Sequence, residues 1–244
     1  MDYRNGARAG ALILSLVVSA VALGDEQARS AIRERIKAVD PDATIDSIEP
    51  SRVDDLYAVT TGGRVVYITA DGRYLLRGEL IDLTNGRNLT RERQSQTASA
   101  ALAELDEDEL LIYEPDGETR FEVTIFTDIE CPYCQRLHRQ LDAYLERGIR
   151  IRYAFLPRAG LQSRAFDEAV SVWCSDQPHS ALGRAKRGES VTQKDCDNPI
   201  ADHYRLAQRM GIRATPTILA SNGRTFRGYV PPARLLAKLE AGEG

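Results

Sequence analysis

FEVTIFTDIECPYCQRLHRQL (residues 121–141) is the stretch that decides the fold. An apolar run from Phe121 to Thr127 comes shortly before the pair Cys131 and Cys134, and an amphipathic segment follows the pair. This order predicts a strand, a CxxC pair and then a helix. A thiol at a helix N-terminus faces unpaired backbone N–H groups and the positive end of the helix dipole. Both favour the thiolate, which is the reactive form of cysteine.

The second cysteine of the pair can attack any mixed disulfide that the first one forms. The pattern therefore indicates a site of dithiol–disulfide exchange. Two alternatives stay open at this point. The pair could be half of a zinc site, which needs a second CxxC or a Cys/His pair, but Cys174 and Cys196 are far apart in sequence. It could also be an inert structural disulfide.

The composition is that of a packed globular protein of one large or two modest domains. The chain has 244 residues, of which 43% are apolar and 28% charged, and its net charge is -4. No long basic run stands out, which argues against a nucleic-acid partner. We expect no cofactor and no metal, since the histidines form no cluster. His179 and His203 are predicted to be surface residues, and His138, two helical turns after Cys131, is a poor base for that thiol.

Residues 1–24 have the pattern of a signal peptide. Arg4 and Arg8 form a short positive region, an uncharged run follows, and small residues at Ala22 and Gly24 precede charged Asp25. The apolar run is shorter than the ~20 residues that a membrane span needs, although an uncleaved anchor is an alternative. Cleavage would place the protein in an oxidising compartment, where four cysteines allow three disulfide pairings. The pairs 131–134 and 174–196 are the simplest.

Residues 25–88 predict a small module of one helix and an antiparallel sheet. The helix covers 26–40 and ends at Asp40-Pro41. Tight-turn signals, Gly-Gly and Asp-Gly, separate short apolar runs, and the predicted strands are 43–48, 56–61, 65–69 and 74–83. A module of about sixty residues buries little apolar surface alone. We therefore expect it to oligomerise.

Residues 89–114 have the composition of a linker helix, rich in Ala, Glu, Leu, Gln and Arg. Their apolar positions are sparse, which favours a partly solvated helix between two domains. From 115 onward the pattern is a strand–helix–strand unit over 121–155, a mainly helical stretch over 162–210, and a hairpin with a final helix. Pro216 interrupts the strand-like run before the hairpin, and a cis Thr215–Pro216 bond at a strand start would explain it.

This set of motifs resembles the thioredoxin superfamily and, more narrowly, the DsbC/DsbG group of periplasmic disulfide isomerases. The resemblance covers nearly the whole chain after the leader. It rests on FTDIxCPYC at 126–134 with the following Leu137-His138, on the ATPT segment at 214–217, on the separated Cys174 and Cys196, and on YITADGRYLLRGELIDL at 67–83 before a helical segment.

The resemblance implies an α+β fold. A cystatin-like dimerisation domain (25–88) would precede a linker helix (89–114) and a thioredoxin-like catalytic domain with a helical insertion (115–244). It also implies roles for six residues, which are Cys131 as nucleophile, Cys134 as resolving thiol, Thr215 and Pro216 as the substrate-binding loop, and Cys174 and Cys196 as a structural disulfide.

The function implied is a homodimeric, periplasmic thiol:disulfide interchange protein that reduces and isomerises non-native disulfides in exported proteins. A membrane reductase of the DsbD type would keep it reduced. Pro132 stands where many isomerases of this group have glycine, and Ile125 stands where thioredoxin has a buried acid, so no proton acceptor can be assigned there. The alternatives are a monomeric dithiol oxidase that introduces disulfides and a chaperone-like binding module whose CxxC is structural.

Overall fold

The computed structural model describes the backbone of residues 9–242 and the side chains of residues 24–242. Residues 1–8 of the predicted signal peptide lie outside this range. The chain divides between Gly78 and Glu79 into two compact units, each with its own core. No helix within the described part of the chain is both long and apolar enough to cross a membrane.

The first unit packs a helix on a four-stranded antiparallel sheet. Helix α1 (Ala9–Val39) ends where Pro41 was expected to stop it, but it begins well before residue 26. The strands pair in chain order and are β1 (Ser47–Pro50), β2 (Leu56–Thr61), β3 (Arg64–Thr69) and β4 (Leu75–Leu76). Their core is small and consists of Ile32, Ile48, Val59 and Ile68.

The predicted strands of this region need two corrections. The first strand is formed by 47–50 rather than 43–48. The predicted strand 74–83 is two short strands, β4 and β5 (Ile81–Asp82), with Gly78 between them. Glycine weakens a strand because it has no side chain to pack. By contrast, the Gly62-Gly63 turn between β2 and β3 is confirmed, and both glycines have positive φ.

The second unit opens with a two-stranded ribbon of β5 and β6 (Arg87–Asn88), followed by helix α2 (Leu89–Leu102). The Asn88 side chain caps α2 by accepting from the backbone N–H of Arg91 at 3.0 Å. The predicted linker helix 89–114 is too long, because α2 ends at Leu102. The acidic run after it forms only a 3₁₀ turn (Glu107–Glu109), and β7 (Leu111–Tyr113) joins a sheet. Leu111 is buried there, which favours the strand.

A five-stranded sheet is the centre of the second unit. Strands β8 (Phe121–Thr127) and β9 (Ile149–Phe155) are parallel, and the connection between them holds α3 (Pro132–His138) and α4 (Leu141–Leu145). Strand β10 (Thr217–Ala220) pairs antiparallel with β8 and with β11 (Thr225–Arg227), so the strand order is β11-β10-β8-β9-β7. Helix α8 (Pro232–Glu240) follows this hairpin. The predicted strand–helix–strand unit and terminal hairpin are confirmed.

The helical insertion consists of α5 (Arg164–Trp173), α6 (Pro178–Lys186) and α7 (Ile200–Arg209). Cys174, just after α5, is disulfide-bonded to Cys196, with 5.8 Å between their Cα atoms. The prediction that His203 lies at the surface is wrong. Its side chain is fully buried on α7, where Nδ1 accepts from the backbone N–H of Phe155 at 3.2 Å. Together the elements form an α+β protein whose second unit is built around a five-stranded mixed sheet.

Candidate active site

The CxxC pair lies where β8 ends and α3 begins. Cys131 is the N-cap residue of α3, and its carbonyl accepts from the backbone N–H of Gln135 at 2.9 Å. Both Cys131 and Cys134 are free thiols, each only 1% exposed. Pro132 and Tyr133, between them, are exposed. The predicted order of strand, CxxC and helix is therefore confirmed.

The surroundings of Cys131 lower the pKa of its thiol to about 5. The largest cause is the hydrogen bond from the Cys134 thiol, which stabilises the Cys131 thiolate. Thr215 and the backbone N–H groups of Cys134 and Tyr133 act in the same direction, and burial opposes them. These N–H groups are the unpaired donors of the first helical turn that the sequence placed beside the thiol.

Cys134 is shifted the opposite way. Burial and its hydrogen bond to Cys131 raise its pKa well above the ordinary range of a thiol. At neutral pH the pair therefore holds one proton, and that proton is on Cys134. This asymmetry makes Cys131 the stronger nucleophile of the two.

The Thr215–Pro216 peptide bond is cis, and the loop it forms lies against Cys131. The Cys131 thiol donates to the carbonyl oxygen of Thr215 at 3.2 Å. Thr215 and Pro216 are buried, while Arg213 and Ala214, just before them, are exposed. The structure thus brings Cys131 together with Cys134 and the Thr215–Pro216 loop, whereas Cys174 and Cys196 are engaged in their own disulfide.

Two carboxylates near the CxxC pair are each neutralised by an arginine. Asp128 accepts from the backbone N–H and from Nε of Arg158, at 3.0 and 2.9 Å. Glu130 pairs with Arg164 at 2.8 Å. Since a bare carboxylate would raise the pKa of a nearby thiol, this pairing leaves the helix terminus and the hydrogen bonds free to favour the Cys131 thiolate.

A buried lysine beside the site was missed by the sequence analysis. Lys186 is 1% exposed at the end of α6, and its Nζ donates to Thr127 Oγ1 at 2.7 Å and to the Asp128 carbonyl at 2.8 Å. The sequence holds one signal for it, because Lys186 follows Leu182 by four residues and so shares the apolar face of α6.

His138 does not act as a base for the CxxC thiols. Burial, together with the charges of Lys186 and Arg187, lowers the pKa of His138 to about 4, so its ring is neutral at pH 7. Its Nδ1 is hydrogen-bonded to Tyr153 Oη at 3.4 Å.

Ile125, which stands where thioredoxin has a buried acid, is fully buried in β8. Among the described residues, no group of three or more His, Cys, Asp or Glu side chains could hold a metal ion.

A low-pKa thiol at a helix N-terminus, just after the central strand β8 and against the cis-proline loop before β10, defines a thioredoxin-like thiol–disulfide oxidoreductase. Family comparisons agree with this class. Residues 21–91 match the Disulfide bond isomerase protein N-terminal domain, and residues 109–243 match the Thioredoxin-like domain. The chain belongs to the DsbC family of thiol:disulfide interchange proteins.

Individual relatives support the same assignment. The thiol:disulfide interchange protein DsbC of Salmonella typhimurium is 34% identical over 230 residues, which cover 93% of this chain and 92% of the relative. DsbC of Escherichia coli K12 is 35% identical over 190 residues, 77% of this chain and 78% of the relative. The crystal structure of a disulfide interchange protein from Neisseria gonorrhoeae matches with a TM-score of 0.50 and 27% identity, over 57% of this chain and 100% of that one.

Proposed function

We propose that this protein reduces and isomerises non-native disulfides in exported proteins, with Cys131 as nucleophile and Cys134 as resolving thiol. The observation that carries the proposal is the opposite shift of the two pKa values, which leaves Cys131 ionised and Cys134 protonated. The Cys131 thiolate attacks one sulfur of a substrate disulfide. A bond forms between Cys131 and that sulfur, and the other substrate sulfur leaves as a thiolate.

The mixed disulfide between Cys131 and the substrate can then react in two ways. In isomerisation, a substrate thiolate attacks elsewhere in the substrate and eventually displaces Cys131, so no electrons are exchanged overall. In reduction, Cys134 attacks the Cys131 sulfur and closes a Cys131–Cys134 disulfide. The substrate leaves with two more electrons, and the protein needs an external reductant, for which we propose a membrane reductase of the DsbD type.

The Thr215–Pro216 loop is proposed to bind the substrate next to the nucleophile. The Thr215 carbonyl accepts from the Cys131 thiol, and it loses this donor when Cys131 ionises. It then becomes available to a backbone N–H of an extended substrate segment. The exposed Arg213 and Ala214 leave the approach to the loop open.

We further propose that the protein is a periplasmic homodimer. Its chain would comprise a leader (1–24) that is cleaved, a dimerisation domain (25–88), a linker (89–114) and a catalytic domain (115–244). Support for the homodimer is the small core of the first unit, whose central cluster has four aliphatic side chains that contribute only about 1.5–3 kcal/mol each. Three neighbouring apolar side chains, Tyr74, Leu75 and Leu76, are at least half exposed in the single chain. Exposed apolar groups of this kind mark protein–protein surfaces.

Refolding of a scrambled, disulfide-rich protein tests the enzymatic roles. Cys131→Ser should abolish both isomerisation and reduction. Cys134→Ser should keep attack by Cys131 and accumulate a mixed disulfide that mass spectrometry detects. Isomerase activity retained by Cys131→Ser would refute the assignment. The native and denatured masses of the alkylated protein report the oligomeric state and the cleaved leader together.

A further inference from the structure

Lys186 is buried, and no carboxylate among the described side chains forms an ion pair with it. The two hydrogen bonds of its Nζ go to neutral oxygens, the Thr127 hydroxyl and the Asp128 carbonyl. The Asp128 carboxylate is instead held by Arg158 and by the backbone N–H of Glu130. Burying an amine costs free energy that these neutral partners offset only in part, so its position next to the CxxC pair calls for a functional reason.

The Thr127 hydroxyl is hydrogen-bonded to Lys186 and also acts on the pKa of the resolving thiol. Its oxygen accepts from Lys186 Nζ at 2.7 Å, so its own hydrogen remains available for donation. The Thr127 hydroxyl, acting as a hydrogen-bond donor, and the Lys186 charge both lower the pKa of Cys134. An ammonium group that donates to the hydroxyl, and a hydroxyl that donates to the sulfur, stabilise a thiolate on Cys134.

We propose that Lys186 is a positioning residue for the resolving step, where its ammonium group stabilises the Cys134 thiolate through the Thr127 hydroxyl. The inference rests on the roles proposed above for Cys131 and Cys134. It assigns to a lysine of the helical insertion an electrostatic role that Ile125, a buried apolar residue of β8, cannot have.

The charge near Cys134 changes when Cys131 forms the mixed disulfide, and this change explains why Lys186 acts on the resolving step. In the reduced site, the negative charge is on Cys131, and the Cys134 thiol donates to it. Once Cys131 is joined to a substrate sulfur, that charge is gone. The ammonium group of Lys186 is then the charge that favours ionisation of Cys134 itself.

Protons and electrons balance in this sequence. The first substrate sulfur leaves as a thiolate and takes up the proton that Cys134 loses. The Cys134 thiolate forms a bond with the Cys131 sulfur, and the bond between Cys131 and the second substrate sulfur breaks. That sulfur leaves as a thiolate with the electron pair. The substrate disulfide is reduced by two electrons, and the CxxC pair is oxidised by two.

The groups that face Lys186 come from four other elements. Burial is the largest effect and lowers the pKa of Lys186, as does the charge of Arg158, which follows β9, whereas Cys134, Asp128 and Cys131 oppose this shift. The charge of Lys186 also acts to lower the pKa of Glu168 on α5 and of His138 at the end of α3.

Because Lys186 favours ionisation of Cys134, we expect it to speed the release of reduced substrate. Faster release shifts the balance from isomerisation toward reduction.

A single-turnover reaction with a limiting aromatic disulfide, which releases a coloured thiolate from each half, separates the two steps. The first phase reports attack by Cys131, and the second reports attack by Cys134. In full-length Lys186→Met, the first phase should stay within about twofold, and the second should slow at least tenfold at pH 7. The pH midpoint of the second phase should rise by about one unit, because a tenfold change corresponds to one pKa unit.

Matched variants distinguish this role from packing. Thr127→Val, which removes only the hydroxyl, should slow the second phase like Lys186→Met, whereas Thr127→Ser should keep it. Arg187→Met, which removes the exposed neighbouring cation, should change neither phase. An unchanged second phase in Lys186→Met or Thr127→Val, or equal slowing of both phases, would overturn the inference. Absence of the first phase in the unmodified protein would instead overturn the proposed function.

Discussion

The thiol of Cys131 donates to the backbone carbonyl of Thr215 at 3.2 Å, although the two residues are 84 positions apart in the chain. This contact joins the start of α3 to the loop before β10, and it exists because β8 and β10 are neighbours in the sheet. The hydroxyl of Thr215 is also buried, with no hydrogen-bond partner among the described residues. It can become a donor to Cys131 once that thiol ionises.

The pH dependence of alkylation tests the ionisation of Cys131. With a pKa of about 5, Cys131 is a thiol below pH 5 and a thiolate above it. The rate of its reaction with iodoacetamide should therefore rise with pH, with a midpoint near 5, and be flat between pH 7 and 8, where an ordinary thiol still gains reactivity. Mass mapping of the modified cysteine provides the measurement. In Cys134→Ala, which lacks the largest stabilising donor, the midpoint should move upward.

Thr215→Val tests the hydroxyl while keeping the shape of the side chain. Loss of a hydrogen bond to a charged group is worth roughly 1.5 kcal/mol or more, or about one pKa unit. The alkylation midpoint of Cys131 should rise by about that much, with the Cys131–Thr215 carbonyl contact intact. Thr225→Val, at an exposed position on β11, is the control. A midpoint that does not move in Thr215→Val would contradict the proposed donor role.

Asp128→Asn should destabilise the protein more than Glu130→Gln. Asp128 is nearly fully buried and accepts three hydrogen bonds, whereas Glu130 pairs with an arginine that is 82% exposed. We expect a loss of about 1–3 kcal/mol in the free energy of unfolding for Asp128→Asn. The loss for Glu130→Gln should stay within ~0.5 kcal/mol. Urea unfolding of both variants measures the two losses. Equal losses would contradict the larger contribution that we assign to Asp128.

The sequence predicted best where the signal was local. The CxxC pair followed an apolar strand and opened a helix, and Pro216 stood out within a strand-like run, so both halves of the site were found. Lys186 was missed because its role depends on which face of α6 packs beside α3, a matter of tertiary structure. Strand β7 was missed for a similar reason, since three residues become a strand only by pairing with β9.

Removing the Cys174–Cys196 disulfide should cost stability and leave thiol chemistry in place. Its cysteines are 22 positions apart, and closing a loop of that size contributes roughly 3 kcal/mol in the chain-entropy model. Urea unfolding of Cys174→Ser/Cys196→Ser should show a loss of that order. The alkylation midpoint of Cys131 should not change, because neither cysteine of the disulfide is among the groups that shift the pKa of that thiol. A shifted midpoint would indicate that this disulfide takes part in the active site.

Gly223→Ala should detach α2 from the β10–β11 hairpin. Gly223 lies in the turn of that hairpin with φ of 81°, and a Cβ there would come within 1.7 Å of the Ser95 carbonyl oxygen on α2. The neighbouring contact, from Ser99 Oγ to the Ser221 carbonyl at 3.1 Å, fixes the same approach. Gly228→Ala is the matched control, since its φ is 83° but its Cβ would meet no atom within 4 Å.

Both substitutions carry the cost of a left-handed conformation, about 1–2 kcal/mol. Only Gly223→Ala adds a clash with backbone, so its loss in the free energy of unfolding should exceed that of Gly228→Ala by about 1–3 kcal/mol. Hydrogen exchange should also speed up for the amides of α2 in Gly223→Ala and stay unchanged in Gly228→Ala. Equal losses and equal exchange in the two variants would mean that α2 does not pack against the hairpin as the structure describes.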